Sequence, residues 1–166
     1  MGARERARPS NGLHSTLDAV DRTILHELRR DGRTSNQALA DAAGVAPSTC
    51  LLRVRELRRR GVLRGVHADV DLARVGRPLQ AIIAVRMRAH VKEQVQAFRS
   101  QAPALPGVLA LFHVSGKDDY LLHVAVADAD ALRAFVVDHL TGHPAVGHTE
   151  TSLVFEHLPG TADLLG

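Results

Sequence analysis

The chain has 166 residues, 45% of them apolar but only 3% aromatic, with one cysteine, no tryptophan and no apolar run long enough to span a bilayer. Those figures argue against wholesale disorder, a disulfide framework, a four-ligand zinc centre, an aromatic platform for single strands and a membrane anchor, and they point to a reducing cytoplasm. The net charge of +3 divides into thirteen Lys+Arg against seven Asp+Glu over residues 1–66 and eight against eleven over 67–166, so a front half suited to a polyanion precedes an acidic back half.

Residues 1–16 carry Pro, Gly, Ser and Arg without periodicity and read as a flexible basic arm, either a mobile terminus or a segment laid in a DNA groove. Helical signals follow in close order. Asp18 is a candidate N-cap, and Val20, Ile24, Leu25 and Leu28 form an apolar stripe before Asp31-Gly32 ends the segment. Ser35 can cap a short second helix with Leu39, Ala42 and Ala43 facing inward and Gly44 at the left-handed position that closes it. Pro47 suits the first position of a third helix that runs to about Arg60 and stops at Gly61. The short Gly44-Val45-Ala46 link is helix-turn-helix spacing, so residues 17–62 are expected to form a DNA-binding head.

After Gly61 the period changes. Residues 62–70 alternate loosely, which predicts a strand or wing, and 63–78 are expected to be a linker strand whose Gly76 and Pro78 mark the domain boundary. Beyond it the pattern predicts strand 79–87, helix 91–102, strands 108–114 and 120–127, helix 129–140 and strand 148–157, with a tail over 159–166. That order is βαββαβ, a ferredoxin-like arrangement occupying 79–158. Each predicted helix leads into a strand through a Pro-small-Val step, Pro106-Gly107-Val108 and Pro144-Ala145-Val146, a faint internal repeat. The helix stripes are Val91, Val95 and Phe98 in one and Leu132, Phe135, Val136 and Leu140 in the other. Two helices cover one sheet face, yet the first strand is apolar on both sides (Ala81, Ile83, Val85 and Ile82, Ala84), so a second copy of the chain is expected on the other face.

Within the third helix, Cys50, Leu51, Val54 and Leu57 share the inward stripe at 100° per residue. Ser48, Leu52, Arg55 and Arg59 project along one flank, and Thr49, Arg53, Glu56 and Arg60 along the other. In a helix-turn-helix the first residues of this helix approach base edges while later cations hold the backbone. Ser48, Thr49 and Arg53 are therefore candidate base contacts, and Arg55, Arg59, Arg60 and Arg64 candidate phosphate contacts. A lone basic helix would read as merely solvated; the tri-helical context and the charge split favour double-stranded DNA. Cys50 reads as a small core residue. His113 and His123 fall on neighbouring strands as ordinary strand histidines, so no metal and no cofactor is expected. A nucleophile elbow, a Walker loop, a dinucleotide fingerprint and a zinc-protease motif are all missing, and an enzyme is not expected.

The stretch Leu17-Asp18-Ala19-Val20-Asp21-Arg22-Thr23-Ile24-Leu25, with Asp31-Gly32-Arg33 after it, resembles the N-terminal signature of the Lrp/AsnC transcription regulators, the leucine-responsive/asparagine or "feast/famine" family. Residues 47–57 resemble that family's recognition helix, 61–65 the strand after it, Gly116-Lys117-Asp118-Asp119-Tyr120 its Gly-x-x-Asp-Tyr loop, and Thr149-Glu150-Thr151 its last-strand Thr-x-Thr. The resemblance covers residues 17–158. It implies an α+β chain with a winged helix-turn-helix and a ferredoxin-like βαββαβ sandwich of the RAM type. It further implies homodimers that assemble into tetramers or octamers, and an amino acid or related metabolite as effector. On the matching positions, Asp119 is the expected partner of an effector ammonium, Gly116 and Tyr120 its neighbours, and Thr149 and Thr151 hydroxyl donors; a plain hairpin turn at 116–120 is the other reading. The family's serine before the helix proline is Ala46 here, so the side-chain cap, about 1 kcal/mol in typical helices, is missing. An effector-independent architectural DNA-binding protein would need the same head and tail.

Overall fold

The computed structural model describes residues 17–88 and 92–160, so the arm at 1–16, Val91 of the expected helix stripe and residues 161–166 of the tail lie outside the described residues. Two compact units separate between Ala68 and Asp69. In the first, α1 (Ala19–Arg30), α2 (Asn36–Ala43) and α3 (Pro47–Arg59) follow one another. Their starts have local causes. Asp18 is extended, and its Oδ1 accepts the Asp21 amide at 2.8 Å; the Ser35 hydroxyl accepts the Ala38 amide at 3.2 Å. Gly44 closes α2 with φ +65°, a conformation costly for any residue with a Cβ. Ala46 supplies no side-chain bond to α3, and instead Asn36 of α2 donates from Nδ2 to the Pro47 carbonyl at 2.9 Å.

Ile24, Leu39, Ala40, Cys50, Val54 and Leu57 form the core of this unit. Ala40, not Ala42, is buried in α2, because Leu39, Ala40 and Ala43 share the face that meets the other helices. The wing expected at 62–70 and the linker strand at 63–78 do not form. The Val62 and Leu63 amides turn back to the Leu57 carbonyl at 3.0 and 3.1 Å, and Val66, Val70 and Val75 stay exposed.

The second unit is a four-stranded antiparallel sheet in the order β2-β3-β1-β4, from β1 (Leu79–Met87), β2 (Val108–His113), β3 (Tyr120–Val126) and β4 (Val146–Val154). Helix α4 (Lys92–Gln101) follows β1 and α5 (Ala129–Phe135) follows β3, which makes the βαββαβ order. Ala81, Ile83, Val85 and Met87 are buried on one face with Tyr120, Leu122, Val124 and Val126, against Phe98, Leu132, Phe135 and Leu140. The second helix does not stay α-helical to Leu140. Phe135 and Leu140 are five residues apart, about 140° around an α-helix, and a π turn over Val136–Thr141 widens the coil so that both reach the sheet. Gly107 enters β2 with φ +90°, and a Cβ there would meet the Ala125 carbonyl oxygen at 2.7 Å. The register places Gln80, Ile82, Ala84, His123, Leu121 and Phe112 on the other face, where no helix among the described residues covers the half-buried Ile82, Ala84 and Leu121.

Candidate functional site

Helix α3 buries Cys50, Val54 and Leu57 and turns Ser48, Thr49, Leu52, Arg55 and Arg59 to solvent. Burial pushes the Cys50 thiol up and keeps it protonated, as fits a core residue. Leu51, expected inward, is 41% exposed. The arginines separate into two groups. Arg59 is held by its own helix, its Nε and Nη2 donating to the two Glu56 oxygens at 2.7 and 2.6 Å, and that bond lowers the Glu56 carboxyl. The pair lies on the surface at i, i+3, where such pairs are weak enough to yield to a phosphate. Arg55 and Arg64 are exposed and form no ion pair among the described residues.

Arg53 and Arg60 turn the other way, toward α1. The Arg53 Nη1 lies 2.7 Å from Asp18 Oδ2 and 3.4 Å from Asp21 Oδ1, and Arg60 Nη1 lies 3.9 Å from Asp21 Oδ2. Asp21 is 3% exposed. The Asp21 amide, and with it the Arg53 guanidinium, holds the Asp18 carboxyl below its ordinary range. Sequence reasoning named both arginines as DNA contacts and missed their carboxylate partners. The usable signal was the Asp18, Asp21 spacing at the start of α1, which puts two acids on one turn.

In the second unit, the loop between β2 and β3 is closed by the Val114 amide bonding the Asp119 carbonyl at 3.0 Å. Asp119 is tied to β1 twice: its amide donates to the Val85 carbonyl at 3.0 Å, and its Oδ2 accepts the Met87 amide at 2.7 Å. The β1–β4 register slips between Arg86 and Met87, so the carboxylate serves an amide at an irregularity of the ladder. Gly116 has φ +128° and open space around it. Tyr120 is in the core, its ring 4.8 Å from His113 and 5.3 Å from Phe98. Arg86 bonds the Lys117 carbonyl at 3.0 Å, and Lys117 pairs with Glu150 at 3.1 Å, which lowers the Glu150 carboxyl.

Thr149 stands opposite Val85 and Thr151 opposite Ile83, on the strand that flanks β1 on its other side. Thr149 also lines a cavity of about 210 Å³ with Arg88, Thr141, Val146, Gly147 and His148. The lining offers one guanidinium, an imidazole and two hydroxyls, groups that suit a carboxylate. Gly116, Asp119, Tyr120 and Thr151 do not line it. Among the described residues no cluster has the His, Cys, Asp or Glu grouping of a metal site, and no helix is long and apolar enough to cross a membrane.

Residues 17–58 match the AsnC-type helix-turn-helix domain and residues 80–162 the Lrp/AsnC ligand binding domain. The HTH-type transcriptional regulator AldR of Mycobacterium tuberculosis is 45% identical over 148 residues, 89% of this chain and 83% of that protein. The leucine-responsive regulatory protein of Rhizobium meliloti is 33% identical over 142 residues, 86% of this chain and 91% of that one. Among solved structures, a transcriptional regulator of Neisseria meningitidis in complex with L-Met superposes with a TM-score of 0.82 at 34% identity, over 90% of this chain and 96% of its own. The chain therefore belongs to the Lrp/AsnC family of helix-turn-helix transcriptional regulators.

Proposed function

We propose that the protein is a sequence-specific regulator that binds double-stranded DNA in the cytoplasm as a homo-oligomer and is tuned by an amino acid or related metabolite. The observation that carries the DNA reading is the solvent face of α3, where Ser48 and Thr49 open the helix and Arg55 and Arg59 follow. Ser48 and Thr49 approach base edges, and Arg55, Arg59 and Arg64 hold phosphates. Arg53 and Arg60 act as struts between α1 and α3, since both face the buried Asp21. The uncovered sheet face, with Ile82, Ala84 and Leu121, is the surface for a second copy, and dimers so formed assemble further into tetramers or octamers.

The effector reading is supported by the ligand-binding domain match, by the L-Met complex of the Neisseria neighbour and by the cavity beside Thr149. An effector carboxylate suits Arg88, with Thr141 and Thr149 as hydroxyl partners. Asp119 and Gly116 lie on the loop between β2 and β3, and Tyr120 and Thr151 on the two strands that flank β1. The test is a thermal-shift panel of the twenty amino acids on the full chain. A true effector at a hundredfold its Kd adds about 2.7 kcal/mol of native-state stability and alters DNA affinity or assembly. If none moves either quantity, the effector-independent architectural reading replaces this one.

A further inference from the structure

We propose that Leu52 is a specificity-determining residue of the DNA interface, reading the 5-methyl group of a thymine in the major groove; this rests on the reading that the solvent face of α3 enters that groove. Leu52 lies about 160° around the helix from the buried Val54, and it is 63% exposed. It packs into neither side of the head's core, which consists of Ile24, Leu39, Ala40, Cys50, Val54 and Leu57 with partly buried neighbours that do not include it. An apolar side chain thus occupies the centre of a face otherwise made of Ser48, Thr49, Arg55, Glu56 and Arg59.

The chemistry of the neighbours leaves this residue the discriminating role. Serine and threonine hydroxyls both donate and accept, so Ser48 and Thr49 fit several base edges. Arg53, the natural candidate for guanine, is turned toward Asp18 and Asp21. Arg55 and Arg59 follow later along the helix, where cations meet phosphates. Thymine alone presents an apolar group in the major groove, and an exposed leucine offers it dispersion contact and release of ordered water. The exposed cations around Leu52 match the charge of the duplex that would cover it.

The test begins with a duplex selected by the full-length protein from a random pool. Each thymine is then replaced, one at a time, by deoxyuridine, which keeps every hydrogen-bonding group and lacks only the methyl. At one thymine in each half-site, the wild-type protein is expected to lose about fourfold in affinity, the value of one buried methyl-sized group. Leu52→Ala should bind the thymine and uracil duplexes equally, and Leu52→Met, which keeps an apolar tip, should retain the difference. Melting curves of both variants confirm that the head stays folded. Thymine-uracil discrimination that survives in Leu52→Ala, or that is absent from every position for the wild type, overturns the proposal while leaving DNA binding intact. A wild-type protein that enriches no duplex from the pool at low salt defeats the groove reading itself.

Discussion

At the scale of single residues, the arginines of α3 divide by what faces them. Arg53 and Arg60 converge on Asp21, a carboxylate almost wholly removed from solvent, while Asp18 caps α1 with one oxygen and meets Arg53 with the other. A buried carboxylate between two guanidiniums is weak evidence for added stability, but neutralising it takes an opposite charge from Arg60 and leaves Arg53 with Asp18 in place of two acids. Asp21→Asn is expected to destabilise the head by about 2 kcal/mol, seen as faster hydrogen exchange of the core amides of α1 and α3. Asp18→Asn should cost less, because asparagine caps a helix as well as aspartate does. Equal exchange rates in wild type and Asp21→Asn would remove the strut role from Arg53 and Arg60.

At the scale of an element, β3 carries a titratable group onto the uncovered face. His123 bonds Gln80 of β1 through Nε2 at 2.9 Å, and its ring is 6.0 Å from that of His157. Burial, and secondarily the neighbouring imidazole, lowers its pKa. The neutral ring is therefore favoured in the folded state, while the unfolded chain takes up the proton at its ordinary, higher pKa. This contribution to stability is fully present above the unfolded pKa and is lost as the pH falls through it. The melting temperature of the wild type should drop between about pH 7.5 and about pH 5.5, and His123→Gln should flatten that drop. An unchanged profile in the variant would assign the acid sensitivity to other histidines. The π turn after α5 illustrates the same scale differently: one extra residue per turn is accepted because it returns Leu140 to the core.

At the scale of the whole molecule, the basic head and acidic sheet unit give the chain its charge asymmetry, and one face of the sheet carries an apolar patch of half-buried Ile82, Ala84 and Leu121 with the exposed Phe112. Ile82 sits near the middle of that patch, opposite His123 on one side and Ser152 on the other. Ile82→Asp places a charge there without touching the helix-covered core. Analytical ultracentrifugation is expected to show the wild type as a dimer or larger and the variant as a monomer. The variant should also lose most of its affinity for a duplex with two half-sites, because each head then binds alone. A variant that remains dimeric would move the interface to another surface.

Much of the architecture was legible in the residues because its causes are local. Asp18, Ser35, Gly44 and Pro47 act on amides and dihedrals within a turn of themselves, and the alternation in β1 and β3 reports a sheet face whatever the partner strand. The family-matching loop at 116–120 was equally readable as a stretch of chain, but not what its side chains do. Whether Arg53 faces solvent or Asp21, whether Asp119 is free or bonded to Met87, and whether Tyr120 lines a site or fills the core depend on residues 22 to 32 positions away in sequence. The alternation at 62–70 failed for the related reason that a strand exists only where another strand supplies its hydrogen bonds. Local chemistry determined where the helices of the head begin and where α2 ends; only the tertiary structure decided which charges remain available for a ligand, because burial and partnership are properties of neighbours that no short window of sequence contains.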